Sequence, residues 1–407
     1  MSHRPLRVLF VSHYGGHCGA VRSLQLTADG LRRLGVEVLV ASPPGDATGG
    51  FTDRGLPWLA SGPIGYLLSF NGSELRGLRL LASTLAYATA WLSSHRLAAL
   101  IRRCRPDVVH CNEFGMFTAA AAARRQGVPT VMHVRTSVAR QPAWYPWLAR
   151  RVVRDLHLHL VAIDGSVAAS LQRISHPRVI YNPCPPMHGP PPPDAGPLRV
   201  CFLCGLLRYK GVFDLLTAAR LLAGRSDIRF DIHGGNSRPA SFLASPAGRL
   251  LQAAGLVEDI AAEVRAFVAT HRLGNVAVHG HTTNPAQAIA ACDVLVFPSH
   301  LNGPGRSVFE AGLAGRPAIV AMRDRVQDIV IDGVTGLIID ERSPQQLAAA
   351  LLRMADDPAL RRRLGAEAQQ RYSRQFASDA GARQLRRLYL DITAAGRRRH
   401  ATPCASS

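Results

Sequence analysis

Two series of short apolar runs, each run separated from the next by a helix-period segment, constrain this chain more than any other feature. Residues 7–12 read as a buried strand and Gly15-Gly16 as the turn after it. Residues 21–34 have helical spacing and stop at Gly35, and 36–41 form the next strand. Further strands are expected at 107–111, 130–134, 158–163 and 179–181, with helices at 118–125 and 166–173. Uninterrupted apolar strands between helices predict a parallel sheet covered on both faces.

The alternation stops at Pro183–Pro197. Here Cys184-Pro185-Pro186 and Pro190-Pro191-Pro192-Pro193 fix φ and remove N–H donors, so neither a helix nor a central strand can run through. A stiff linker is expected over 184–197. A second series follows, with strands at 199–203, 229–233, 276–279, 294–298 and 318–321 and a short segment at 336–339. Its helices are expected at 213–223, 260–270, 285–291, 306–314 and 344–354.

With 407 residues the chain exceeds what one core usually fills. The expected fold is α/β, two doubly wound, Rossmann-like parallel sheets over 1–183 and 198–370. A helix within 371–395 (apolar spacing at about 377–393) is expected to return to the first domain, and 396–407 is expected to be an unstructured tail. Ligands of such sheets bind outside the carboxyl ends of the strands, so a shared ligand is expected in a cleft between the domains.

The formal charge of +20 suits nucleic acid, an anionic membrane or a phosphorylated substrate. Its arginines are scattered and match no nucleic-acid motif, which argues against that partner. Cys201 and Cys204 have C-x-x-C spacing but no second pair at metal-site distance, so buried free thiols are expected. The chain opens almost directly on a strand, with no signal-peptide pattern and no run long enough to span a bilayer. A cytoplasmic protein is the expectation. Residues 75–103 are basic and amphipathic, which fits a surface helix pair with a buried face or a dock on an anionic membrane.

One lysine, Lys210, stands against 47 arginines (48 basic residues less the lysine). Such a bias is that of a GC-rich coding sequence, so the surviving ammonium marks a place where a guanidinium serves less well. It follows a strand and a glycine turn, a suitable place to meet phosphate. A second such place is Asn302-Gly303-Pro304-Gly305-Arg306, where glycines precede a helix and Glu310 sits a turn further in. That glutamate suits a ribose diol. His110, His157, His159 and His279 lie in or beside strands and read as core or edge residues.

These segments resemble the retaining nucleotide-sugar glycosyltransferases of family 4, which have the GT-B fold. The resemblance rests on residues 293–299, Glu310-Ala311-Gly312, Gly315-Arg316-Pro317, Asp332-Gly333-Val334-Thr335-Gly336, Lys210-Gly211, residues 106–110, Gly15-Gly16 and His133. It implies transfer of a sugar from a nucleotide-diphosphate donor to a glycan, lipid-linked or small-molecule acceptor with retained configuration, as in polysaccharide biosynthesis. It assigns the diphosphate to Lys210 and to Gly303, Gly305 and Arg306, the ribose to Glu310, and the base to the region of Gly280 and His281. Gly16 would shape the donor–acceptor junction and His133 would contact the transferred sugar, so His133, Lys210 and Glu310 are the expected catalytic set. No metal or other cofactor is implied.

Two positions depart from the family pattern. Asn302 stands where a glutamate contacts the donor sugar, and Lys210 comes five residues after Gly205 rather than six, without an adjoining arginine. Arg208 is the expected substitute. Asp328 occupies a place where the family often has a glutamate. The alternatives are a catalytically silent nucleotide-sugar-binding protein, suggested by Asn302, and a GT-B epimerase or phosphorylase.

Overall fold

The computed structural model describes residues 4–66, 81, 84–85, 88, 94–185, 187, 196–376 and 379–401. The proline run and most of the 75–103 stretch lie outside these residues. The chain divides into two compact units, unit 1 (Met1–Pro185 with Phe376–Ser407) and unit 2 (Pro186–Gln375).

Unit 1 is built on seven parallel strands. They are β1 (Arg7–Val11), β2 (Glu37–Ser42), β3 (Trp58–Ala60), β4 (Val108–Cys111), β5 (Thr130–Val134), β6 (His159–Ala162) and β7 (Arg178–Val179). Their order is β3-β2-β1-β4-β5-β6-β7, so the winding reverses between β1 and β4. Strands β4 and β5 are buried along their whole length because helices cover both faces. Helices α1 (Gly19–Arg33), α2 (Gly49–Thr52), α3 (Ser94–Cys104), α4 (Phe117–Arg125), α5 (Trp144–Asp155) and α6 (Gly165–Ser170) make the crossovers. Val8, Phe10 and Leu24 close one core and Leu9, Val109 and Met132 the other. Each fully buried aliphatic or aromatic side chain contributes about 1.5–3 kcal/mol.

Unit 2 repeats the plan with β8 (Leu198–Leu203), β9 (Ile228–His233), β10 (Val276–Gly280), β11 (Val294–Phe297), β12 (Ala318–Ala321) and β13 (Gly336–Ile339). Their order is β10-β9-β8-β11-β12-β13, again all parallel, with the reversal between β8 and β11. The helices are α7 (Val212–Leu221), α8 (Ala240–Ala244), α9 (Pro246–Ala253), α10 (Ile260–Thr270), α11 (Pro285–Ala290), α12 (Arg306–Leu313), α13 (Pro344–Asp356) and α14 (Pro358–Gln375).

The last helix, α15 (Ala380–Ala401), belongs to unit 1, where Leu385, Leu388, Tyr389 and Ile392 join the core of Phe10 and Leu24. It overturns the expectation of an unstructured tail from 396, since the backbone stays helical to Ala401. The apolar period ends at Ile392, but arginine is a good helix former and extends the helix without a core to face. Helix α14 likewise runs through 371, where a domain end was expected. Its mean hydropathy is low, so its apolar period is weak.

Candidate active site

The residues expected on the donor side come together at the carboxyl edge of the unit 2 sheet, around the β8–β11 reversal where doubly wound sheets hold their ligands. The loop after β8 ends in a single 3-10 turn, Arg208–Lys210, and then Gly211 starts α7. Gly211 has φ of 78°, and a Cβ there would lie 1.9 Å from the Pro298 carbonyl oxygen. Only glycine lets the two loops close up so tightly. They are tied by the His300 N–H, which donates to the Tyr209 carbonyl at 2.8 Å, and by His300 Nε2 against Asp214 Oδ2 at 2.7 Å.

Lys210 is half-buried in this corner. Its Nζ lies 5.2 Å from the Phe297 ring centroid and 5.7 Å from that of Tyr209, with no ion pair among the described residues. Two aromatic faces hold the ammonium weakly and leave its hydrogen-bond donors available. The opposite wall is the amino end of α12. Its N-cap, Gly305, has no side-chain cap, and a Cβ at that position would lie 2.4 Å from the Phe297 ring. The positive end of the helix dipole, without a side-chain cap, therefore lies near the lysine's loop.

The remaining expected residues are placed as follows. Glu310 is buried, with Oε1 accepting from Arg306 Nε at 2.9 Å, so Arg306 is turned along its own helix. Gly280 ends β10, and its carbonyl accepts from the Gly234 N–H at 2.7 Å; the exposed His281 packs beside Gly235. Gly303 lies in the loop before α12. Arg208 is exposed, with Nη2 2.7 Å from Glu263 Oε2 and its guanidinium 5.0 Å over Phe213, so its charge is answered within the protein.

Asn302 does not reach outward as the sequence suggested. It has φ of 54°, a conformation asparagine tolerates, and it is buried. Its Oδ1 accepts from the backbone N–H groups of Arg323 and Asp324, each at 2.8 Å, and its Nδ2 donates to Asp324 Oδ2 at 2.9 Å. The amide clamps the loop after β12 to the loop before α12. A carboxylate there would face Asp324 with like charge and would have no N–H to offer it. Asp328 is only partly buried; its backbone carbonyl accepts from Gln375 Nε2 at 3.2 Å.

The unit 1 residues gather at the carboxyl edge of the other sheet. Gly16 lies in the loop after β1, packed so that a Cβ would strike the Tyr14 ring. His133, near the end of β5, is buried, and its Nδ1 lies 3.2 Å from His110 Nε2. His110 Nδ1 in turn meets the Tyr389 hydroxyl of α15 at 2.5 Å. Arg135 Nη2 also approaches His133 Nδ1, at 3.5 Å, while its Nε donates to Asn112 Oδ1 at 2.8 Å and its Nη1 to Asn182.

This set fixes the tautomers. A guanidinium only donates, so His133 Nδ1 accepts and the ring proton sits on Nε2. His110 then donates from Nε2, and its Nδ1 accepts from the Tyr389 hydroxyl. Both imidazole pKa values lie well below the ordinary 6.5, from burial first and then the Arg135 charge. His133 is thus a neutral ring with its proton on Nε2, where no hydrogen bond of ordinary geometry is made among the described residues, although the Ile180 backbone pulls weakly on the ring. Such a group donates a hydrogen bond and has little use as a base.

Sequence reasoning missed most of this network. His110 read as a core residue, and nothing in the local pattern at Tyr389 links it to a residue 279 positions earlier. Glu113 was also missed. It is buried, accepting from the Phe114 and Arg135 backbone N–H groups, and burial pushes its carboxyl pKa up to about 7 against their pull. His13, partly buried and stacked on Tyr66 with centroids 3.8 Å apart, has its pKa lowered to about 4 by desolvation. Cys201 and Cys204 are free thiols.

Two parallel sheets, each with a reversal-point loop at its carboxyl edge and one with an ammonium beside an uncapped helix terminus, have the plan of the GT-B fold. Residues 18–188 match the family described as Glycosyltransferase Family 4 and residues 188–371 that described as Glycosyl transferases group 1, and the chain belongs to these glycosyltransferases. Glycogen synthase of Mycobacterium tuberculosis is 28% identical over 306 residues, which are 71% of this chain and 70% of that protein. A D-inositol 3-phosphate glycosyltransferase of Thermomonospora curvata is 35% identical over 117 residues, 27% of each chain. HepE of Anabaena, solved in complex with UDP, superposes with a TM-score of 0.73 at 18% identity over 95% of this chain and all of that one.

Proposed function

We propose that this chain transfers a sugar from a nucleoside-diphosphate donor to a glycan, lipid-linked or small-molecule acceptor, with retention of configuration. The observation that carries the reading is the pairing of Lys210, unopposed by any carboxylate among the described residues, with the uncapped amino end of α12. Negative charge grows on the leaving diphosphate as the glycosidic bond stretches. An ammonium and fixed N–H groups placed to meet that charge lower the barrier without covalent participation by the protein.

Glu310 is assigned the ribose, and the region of Gly280 and His281 the base. His133 is assigned a hydroxyl of the transferred sugar, to which its Nε2–H donates. HepE has been crystallised with UDP and with UDP-glucose, which makes a uridine nucleotide the first donor to try here. A cytoplasmic setting with peripheral attachment to the inner face of a membrane fits the high charge, and among the described residues no helix is long and apolar enough to cross a bilayer.

A second reading, a nucleotide-sugar binder without turnover, is favoured by one observation. Asn302, the counterpart of a sugar-contacting glutamate, spends its amide oxygen and one of its two amide N–H groups on the clamp on residues 323–324. A mass-spectrometric screen of nucleotide sugars against the purified protein separates the readings. Transfer or slow hydrolysis with release of nucleoside diphosphate supports the transferase; binding without turnover supports the silent protein. Interconversion of the donor sugar without acceptor would mark an epimerase, and a requirement for orthophosphate a phosphorylase.

A further inference from the structure

Helix α5 packs on the unit 1 sheet through Tyr145, Ala149 and Val153, which are buried at successive turns. A helix covering a sheet needs only that one apolar stripe, and its outer face is ordinarily polar. The outer face here is not: Trp147 is 63% exposed, Trp144 43% and Leu148 39%. Arg151 and Arg154 continue the Trp147 stripe at i+4 and i+7, where they share the exposed Asp155 at 3.7 and 3.0 Å, and Arg150 flanks the stripe; all three arginines are exposed, so one carboxylate answers part of a larger positive charge. Indole rings beside long basic side chains are poorly placed in water and well placed at the boundary of a bilayer. There the rings sit at headgroup level and the guanidiniums reach the phosphates.

The charge continues past the helix. At the amino ends of β5, β6 and β7 lies a cavity of about 1120 Å³, lined by Arg124, Arg150, Arg154, Arg178, His157 and His176 among others. Among the described residues the only acidic group on its wall is Asp391, 3.8 Å from Arg178. Arg124 and Arg150 have no ion-pair partner among those residues. An open cavity with this lining suits phosphate-bearing headgroups.

We propose that α5 and the arginine-lined cavity beside it form a docking surface for an anionic phospholipid bilayer. Trp144, Trp147 and Leu148 enter the interface, and Arg150, Arg151 and Arg154 meet the headgroups. The surface gives the peripheral attachment of the proposed function a definite place and does not depend on the transfer reaction. Helix α5 leads back from the carboxyl edge of the sheet, where β5 ends with His133, and its tryptophan-bearing end lies nearest that edge. A bilayer lying along α5 would touch the tryptophans near that edge and the arginine cavity at the other end of the helix.

The test is sedimentation of the full chain, without donor, with vesicles of phosphatidylglycerol and phosphatidylcholine or of phosphatidylcholine alone. Binding is expected only to the anionic vesicles, and it should weaken with added salt. Trp144→Ala with Trp147→Ala should reduce the bound fraction at least about tenfold. Arg150→Gln, Arg151→Gln and Arg154→Gln together should reduce it by about fivefold per charge. Thermal melts report whether each variant is folded, and the exposed arginine set serves if the tryptophan pair is not. No binding to anionic vesicles at low salt, equal binding to neutral ones, or binding that survives both sets would overturn the proposal. Competition by inorganic phosphate at concentrations too low to screen charge would also do so, by showing a site for a free anion. The donor screen reads the transfer reaction separately, so either idea can fail alone.

Discussion

At the reversal point of unit 2 stand a lysine ammonium with no ion pair among the described residues and a helix terminus with no side-chain cap. At the carboxyl edge of unit 1, by contrast, polar side chains answer one another in a closed, buried chain from Tyr389 through His110 to His133. The same backbone plan therefore serves two electrostatic purposes. One edge holds an ammonium with no ion pair among the described residues, as a diphosphate requires; the other spends its hydrogen bonds on holding a neutral ring with its proton on Nε2. Positive charge left unanswered favours an anion whose charge grows during reaction, whereas a locked neutral donor favours a hydroxyl whose charge stays constant.

The sharpest way to break this contrast is to remove the ammonium. Lys210→Ala is expected to lower kcat by about a hundredfold to a thousandfold with a smaller change in KM, the pattern of a group that acts mainly on transition-state charge. Steady-state kinetics on the donor found by the screen would read it. Equal effects on KM alone would make Lys210 a ground-state contact.

On the other side, Tyr389→Phe removes the hydroxyl proton that settles the His110 tautomer while leaving the ring packed in the core. Donor turnover should fall about tenfold or more, the size of effect that losing a supporting hydrogen bond has at other sites. Nitrogen NMR of the imidazoles should show His133 losing its single Nε2–H form, a signature that mere loosening of the helix would not produce.

The pH dependence of stability sharpens the contrast further. His13, His110 and His133 all titrate below 6.5 in the fold, so the unfolded chain takes up their protons first as pH falls. Stability from these rings is complete above about pH 6.5 and is lost as pH drops below it. Glu113 acts in the opposite sense, since its folded pKa of about 7 lies above the unfolded value and its contribution fades as pH rises through 7. Melting temperatures between pH 5 and 8 should therefore fall on the acid side. Glu113→Gln should raise the melting temperature at pH 8 relative to that at pH 5.

The smallest expected effect is that of Arg208→Ala. An exposed pair with Glu263 contributes only about 0–1 kcal/mol, and the guanidinium already has its partners. Activity should change less than about threefold; a loss matching that of Lys210→Ala would mean that Arg208 leaves Glu263 for the donor.

The strands were legible because parallel strands buried on both faces must be continuously apolar, as in Val294–Phe297 and Thr130–Val134. The donor-edge glycines were legible for a related reason, since Gly211 and Gly305 sit where a Cβ would enter Pro298 or Phe297. What could not be read is whatever depends on pairing across long separations. Asn302 reads as a ligand contact until Asp324 is seen to hold it, and His110 reads as core until Tyr389 arrives from the last helix. The outer face of α5 is not legible in the sequence because the inward stripe of Tyr145, Ala149 and Val153 alone explains a helix, whereas the basic and amphipathic residues 75–103, most of them outside the described residues, carry the stronger membrane pattern.

The central claim is that Lys210 and the bare end of α12 hold a donor diphosphate, and the direct measurement is nucleoside-diphosphate binding by calorimetry. The native protein should bind UDP or another nucleoside diphosphate, and Lys210→Ala should weaken that binding by about tenfold or more, as expected when a charge-assisted hydrogen bond is lost. Unchanged affinity in the Lys210→Ala protein, or no binding by the native chain to any nucleoside diphosphate, would contradict it.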